Sequence, residues 1–218
     1  MTAIVCENVS CSKPNWNGRG PVSVDDVSLS VEAGEFVGLC GPDGCGKGLL
    51  LNLIGLLERP DAGSIIVAGQ NTGELGPEDA AVFRNEACGY LFGHPYLLPS
   101  FSVSENVAMP LFRICGGEAR DARVRTLDVL TFAGIPDFET PLVGRLPQSI
   151  RWRAAFARAI VHEPGILIAI SPPPTDGLLP LALKAARELG MTVLWAGERV
   201  DLEPVADRII EIRDGRVA

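Results

Sequence analysis

The eight residues Gly41-Pro-Asp-Gly-Cys-Gly-Lys-Gly48 restrict the fold of this 218-residue chain more than any other stretch. Seven of the eight positions fit the phosphate-cradling pattern G-x-x-x-x-G-K-[ST]. Gly41, Gly44 and Gly46 let the backbone turn sharply, so that its N–H groups approach a phosphate closely. Asp43 and Cys45 fill the variable positions, and Lys47 adds a point charge for the outer phosphates. An apolar strand, Glu35 to Cys40, leads in, and a leucine-rich helix, Lys47 to Ile54, leads out with its N-terminus toward the anion. The eighth position departs from the pattern. Gly48 stands where a Ser or Thr hydroxyl would hold Mg²⁺, and Leu49 follows it.

The length suits one α/β domain spanning 1–218, and an apolar fraction of 47% supplies an ample core. A net charge of -8 argues against a general nucleic-acid binder. The six cysteines are scattered without a C-x-x-C pair, as expected of free buried thiols. The N-terminus has no basic-then-apolar leader, and no apolar run is long enough to span a bilayer. Any membrane role is therefore expected to come through a partner.

Along the chain, Ala3 to Val9 reads as an edge strand and Ser10 to Val22 as a polar loop. Ser23 to Val31 alternates as a half-buried antiparallel strand. Further strands are expected at Ser64 to Ala68, Gly89 to Phe92, Gly165 to Ile170 and Met191 to Ala196. The last two are continuous apolar runs of the kind buried on both faces of a parallel sheet. Helices are expected after Gly76-Pro77, from Ser102 to Ile114 with an interruption or kink at Pro110, from Gly117 to Ala133, from Arg151 to His162 and from Leu178 to Leu189. Residues 134–150 read as irregular. Pro172-Pro-Pro174 forbids helix and ladder alike, and Asp214-Gly215 closes a final hairpin.

This order resembles the nucleotide-binding subunit of ABC transporters over nearly the whole chain, nearest the lipoprotein-release and macrolide-export group (LolD and MacB, with FtsE close by). The resemblance is carried by Leu50 to Gly63, Tyr96 to Leu111, Arg153 to Ile160 and Asp207 to Arg216, which are long and collinear. It implies a P-loop NTPase fold of the ABC type: a RecA-like parallel core, an N-terminal antiparallel β-subdomain and a helical insert over roughly residues 95–150. It also implies a homo- or heterodimer of such domains, head to tail, with two ATP molecules between them. Each ATP would touch the P-loop of one domain and the signature loop of the other. The region Gly93 to Phe101 would meet a transmembrane permease, placing the chain in the cytoplasm on the inner face of the membrane.

Laid on the family's motifs, the chain lacks the catalytic groups. The metal hydroxyl falls on Gly48 and the next hydroxyl on Leu49. The metal-contacting Gln falls on Gly93, and neighbouring His94 reads as an ordinary loop histidine. The Asp-Glu pair that closes the buried strand falls on Ile170 and Ser171. The switch His falls on Glu198, whose carboxylate would repel a γ-phosphate unless paired, for example with Arg199. The signature Leu-Ser-Gly-Gly-Gln falls on Leu146-Pro147-Gln148-Ser149-Ile150, so Pro147 removes a donor and side chains stand where bare backbone should approach. Trp16 is the only aromatic in the early loop and a candidate to stack on adenine.

Phosphoryl transfer depends on charge stabilisation routed largely through Mg²⁺. Losing one such group costs about 10²- to 10³-fold, and losing all of them leaves no credible hydrolysis. The expectation is a pseudo-ATPase that binds ATP weakly and without metal. The alternatives are a working transport ATPase whose metal and water are held by other groups, and a phosphate-binding module unrelated to transport.

Overall fold

The computed structural model describes residues 1–14, 21–114, 119–173 and 177–218. Trp16, Cys115, Gly117 and Pro174 lie outside the described residues. In chain order the elements are β1 (Thr2–Lys13), β2 (Val22–Glu32), β3 (Phe36–Cys40), α1 (Lys47–Ile54), β4 (Ala62–Val67), β5 (Gln70–Asn71), α2 (Pro77–Ala87) and β6 (Cys88–Phe92). There follow α3 (Val103–Ile114), α4 (Ala119–Phe132), α5 (Gln148–Ile160), β7 (Ile166–Ile170), α6 (Leu178–Leu189), β8 (Thr192–Ala196), α7 (Arg199–Leu202), β9 (Arg208–Arg213) and β10 (Arg216–Val217).

The strands form two sheets. One is antiparallel in the order β2-β1-β4-β5; the other runs β10-β9-β3-β8-β7-β6, parallel from β9 through β6. The continuous apolar runs are explained by a two-sided burial with a period of two. Phe36 and Cys40 of β3, Leu167 and Ala169 of β7, and Val193 and Trp195 of β8 face a core shared with α5 and α6. Val37, Leu39, Ile166, Ile168, Leu194 and Ala196 face the other core, made with α1 and the antiparallel sheet. Phe36 and Trp195 stack at 6.4 Å between ring centroids.

Four sequence expectations are corrected. β1 is not an edge strand: it pairs with β2 on one side and β4 on the other. It also continues to Lys13, into the stretch expected to be loop, because Cys11 is buried between Val24 and the Arg59 carbonyl. α3 is not interrupted at Pro110. The proline removes only one N–H, while Val103, Val107 and Leu111 anchor the helix against the core. α5 begins at Gln148, so the irregular stretch ends earlier than expected. Five cysteines, Cys6, Cys11, Cys40, Cys45 and Cys88, are buried and free as expected.

The segment after β6 is held from below. Ser102 and Glu105 form a capping box at the start of α3: Glu105 N donates to Ser102 Oγ at 3.1 Å and Ser102 N to Glu105 Oε2 at 2.7 Å. Those hydrogen bonds from Ser102, backbone first, hold the Glu105 carboxyl below its ordinary value. One turn on, fully buried Asn106 accepts from Leu98 N at 2.7 Å and donates to the Leu98 carbonyl at 3.1 Å and the Ser102 carbonyl at 2.9 Å. Arg158 of α5 reaches across to the carbonyls of Tyr96 and Pro95 at 2.6 and 2.8 Å. Asn106→Ala strips this loop of its central partner and is expected to cost about 2–3 kcal/mol in chemical denaturation; an unchanged midpoint would show that the loop does not depend on it.

Candidate functional site

The turn from β3 into α1 has the backbone that its glycines permit. Gly41, Gly44 and Gly46 have φ of 142, 79 and 105°, all in the region closed to most side chains. Two of them are also sealed by neighbours. A β-carbon on Gly41 would lie 2.1 Å from the Ile212 carbonyl oxygen, and one on Gly46 would lie 2.4 Å from that of Ser23. The loop is further tied to the β9–β10 turn, where Gly215 N donates to the Cys45 carbonyl at 3.0 Å and Asp25 N to the Gly215 carbonyl at 2.9 Å. Asp214 and Gly215 of that turn have φ of 47 and 81°, as a tight two-residue hairpin requires.

Inside the cradle, Leu50 N is the first helical donor, to the Gly46 carbonyl at 2.9 Å. The N–H groups of Lys47, Gly48 and Leu49 therefore precede the hydrogen-bonded part of α1 and are the groups available to a phosphate. Lys47 folds back on its own loop: Nζ donates to the carbonyls of Gly41 and Pro42, the latter at 3.0 Å. Asp43 is exposed, and Cys45 is buried beneath the loop. Leu49 is only 7% exposed and packs in the core, so position 49 contributes backbone and no side-chain oxygen.

The groups that end β6, β7 and β8 gather beside this turn. A β-carbon on Gly48 would lie 3.7 Å from Ile170 Cγ2, an ordinary contact between apolar groups. Gly93 is close to the same strand end: a β-carbon there would lie 3.2 Å from the Ser171 carbonyl oxygen and 3.9 Å from that of Ile170. Ser171 itself is exposed with φ of 50°, an unusual conformation for a serine. Gly48, Gly93, Ile170 and Ser171 thus form one constellation, offering a methyl-lined wall and a single hydroxyl. Among the described residues no group of three or more His, Cys, Asp or Glu side chains is placed to hold a metal ion.

Glu198 caps the start of α7 without a side-chain hydrogen bond and is exposed. Its expected partner is engaged elsewhere: Arg199 pairs with Glu211 at 2.9 Å and with Glu203 at 3.8 Å. Hydrogen bonds from Arg213 and then Arg199 hold the Glu211 carboxyl below its ordinary value. His94 packs edge-on to Tyr96, with ring centroids 5.8 Å apart. Pro147 is the N-cap of α5, with no side-chain cap, and Gln148 and Ser149 form its first turn. Arg151 N is the first backbone donor, to the Pro147 carbonyl at 3.1 Å, and the Arg151 side chain braces the carbonyls of Leu146 and Gly144.

Two features escaped sequence reasoning because they depend on tertiary contacts. One is the retraction of Lys47. The other is a groove of about 370 Å³ walled by Tyr90, Phe92, Met109, Pro110, Arg158 and His162, beneath the 93–101 loop. Arg158 brings a cation to it, held on the carbonyls of Tyr96 and Pro95, whereas burial drives its other titratable groups toward their neutral forms. Burial pushes the Cys88 thiol up to about 12 and raises Tyr90 further. Burial also lowers His162 below its ordinary value, outweighing a hydrogen bond with the Cys88 carbonyl. Tyr96, Leu98 and Phe101 on the loop above are exposed.

The family model for ABC transporters matches residues 24–171. The chain is 34% identical to the lipoprotein-releasing system ATP-binding protein LolD of Hyphomonas neptunium, covering 100% of this chain and 98% of that one. It is 33% identical to the methionine import ATP-binding protein MetN 1 of Listeria monocytogenes over 93% of this chain, but spans only 62% of that relative's length. Among solved structures, the dimeric post-hydrolysis state of the ATP-binding cassette MJ0796 bound to ADP and Pi superposes with a TM-score of 0.85 at 27% identity, covering 98% of this chain and 96% of that one. The fold is therefore the α/β P-loop fold of ATP-binding cassettes. The chain belongs to the ABC transporter family, on the LolD- and MacB-like side. No helix among the described residues is long and apolar enough to cross a membrane.

The two glycines at the helix start make opposite predictions. Gly46→Ala drives a β-carbon into the Ser23 carbonyl and is expected to lower the melting temperature by several degrees. Gly48→Ala has room and a helical backbone, so it is expected to be neutral or to stabilise by up to about 1 kcal/mol. Equal effects in a thermal melt would contradict the described loop.

Proposed function

We propose that this chain is an ABC-transporter ATP-binding-subunit homologue that has lost ATP hydrolysis and serves as a structural or regulatory subunit. It is a single nucleotide-binding domain over 1–218, with its helical subdomain at roughly 95–150. It docks in the cytoplasm on a membrane permease or a partner ATPase subunit. The observation that carries the reading is the juxtaposition of Gly48 and Ile170: a side chain at 48 would meet the Ile170 methyl, its β-carbon lying 3.7 Å away. On the family's plan those two positions supply oxygens to Mg²⁺, and here one has no side chain and the other ends in methyl groups. Gly93 adds no side chain, and Ser171 is a poor base near neutral pH. These residues do not fit a magnesium ion, and no group is left to polarise an attacking water.

Phosphate binding is a separate matter. The N–H groups of Lys47, Gly48 and Leu49 and the charge of Lys47 would hold a phosphate, once Lys47 releases the carbonyls of Gly41 and Pro42. That exchange, and the Glu198 carboxylate nearby, make ATP binding weak and indifferent to metal. The groove walled mainly by Tyr90, Phe92, Met109 and Pro110, together with exposed Tyr96, Leu98 and Phe101, supports docking of a permease segment there. The competing reading, a working transport ATPase, draws on the likeness to a cassette whose structure holds ADP and Pi. It would need metal and water held by groups other than these.

The purified chain is expected to show no Mg²⁺-dependent ATP turnover above background. Gly48→Ser alone is expected to leave that unchanged, because Ile170, Ser171 and Glu198 remain. Turnover by the unmodified chain, or rescue by that one substitution, would overturn the reading.

A further inference from the structure

A second groove lies at the edge of the parallel sheet opposite the cradle. Pro164 and Met191 stand just before β7 and β8, whereas Ser171 and Glu198 follow those strands. β7 spans five residues, roughly 16 Å, so this groove is separate from the nucleotide site. Its volume is about 370 Å³. Val129 and Phe132 of α4, Ile160 of α5 and Leu189 of α6 line it, with Pro164 and Met191 between the helix ends. Ile160, Pro164 and Met191 are buried, Val129 and Phe132 are half-buried, and Leu189 is 53% exposed at the lip. The walls are fixed from behind. Phe132 stacks on Phe156 with 6.5 Å between ring centroids, and Thr192 N donates to the Gly165 carbonyl at 2.9 Å.

Asp128 and Glu163 are the charged side chains in this lining, and both are exposed. Glu163 N donates to the Ile160 carbonyl at 2.9 Å, which holds that residue at the groove. Neither carboxylate is neutralised well. Asp128 enters no ion pair among the described residues. Arg125 meets Glu163 only at 4.0 Å, and an exposed pair of that kind is weak. Lys184 is committed elsewhere, 4.2 Å from the centre of the Phe132 ring and 3.8 Å from Glu188. An apolar floor is thus joined to negative charge that lacks a firm partner.

We propose that this groove binds a small organic cation, an alkyl or arylalkyl ammonium. Its apolar body lies on Val129, Phe132, Ile160 and Met191, and its head donates to the carboxylates of Asp128 and Glu163. The size selects a small ligand over a docked protein. A stable protein interface buries about 1,200–2,000 Å², whereas ligand sites start at about 300 Å³ and are mostly apolar with a few placed polar groups. Charge selects the head group, because an ammonium gains charge-assisted hydrogen bonds where an anion of the same shape is repelled. The inference goes beyond the nucleotide chemistry proposed above and does not depend on it.

Calorimetric titration of the purified chain with octylammonium, octanol and octanoate, each below its aggregation concentration, tests this. Octylammonium is expected to bind at one site, about tenfold or more tighter than octanoate. Neutralising both carboxylates, with Asp128→Asn and Glu163→Gln, should bring octylammonium to within about threefold of octanol. Leu189→Arg places a resident cation at the exposed lip and should weaken octylammonium at least about tenfold. These positions are exposed, so melting temperatures close to that of the unmodified chain are expected for both variants. Octanoate binding as tightly as octylammonium overturns the inference, as does absence of binding by all three probes. A preference for the ammonium that survives the double neutralisation also overturns it, since that preference would then come from the net charge of -8 and not from the groove.

Discussion

The carbonyl oxygens of Ile212 and Ser23 occupy the space that β-carbons of Gly41 and Gly46 would fill. That close approach ties the turn after β3 to the last hairpin and to β2, elements far apart in sequence. It fixes where α1 begins, and α1 in turn carries Leu49, Leu50, Leu53 and Ile54 into the core shared with the antiparallel sheet. At Gly41 and Gly46 the bare backbone is therefore demanded by packing as well as by any phosphate. Packing alone would therefore keep the shape of the turn in a chain without hydrolytic chemistry, as proposed above. The glycines answer to the fold, whereas Gly48 answers only to the ligand.

The same separation holds along the carboxyl edge of the parallel sheet. β6, β7 and β8 arrive in register and bring Gly93, Ile170, Ser171 and Glu198 to the ends expected of a nucleotide-hydrolysing cassette. The scaffold delivers positions, and the side chains delivered are the wrong kind. A glycine at 48 facing the Ile170 methyl offers no side-chain oxygen to coordinate a cation. On the proposed reading, a carboxylate at 198 adds repulsion to a bound phosphate. Lys47, turned onto two carbonyls, is satisfied without a ligand.

Much of this was legible in the sequence. The strand–cradle–helix order and the doubly buried strands needed only periodicity, turn chemistry and motif spacing, whereas the substituted positions beyond Gly48 came from the resemblance to the family's motifs. What was missed has physical reasons. The interior position of β1 depends on which strands pair, and strand order is not encoded in local alternation. The start of α5 at Gln148 was obscured because a proline followed by polar residues reads as loop, although Pro147 serves as an N-cap. The suggested pairing of Glu198 with Arg199 failed because adjacent residues at a helix start do not face each other, and Arg199 is drawn to Glu211. The capping box at Ser102–Glu105 was readable and overlooked. The juxtaposition of Gly48, at the start of α1, with Ile170, at the end of β7, required three dimensions.

The central claim is that this cradle has no place for a metal ion. Calorimetric titration of the purified chain with ATP, once with excess Mg²⁺ and once with the metal chelated, measures it most directly. The account predicts weak binding of equal affinity in the two titrations. Tight binding that appears only with Mg²⁺ would contradict it, and would mean that oxygen ligands other than those at positions 48, 93, 170 and 171 complete the site.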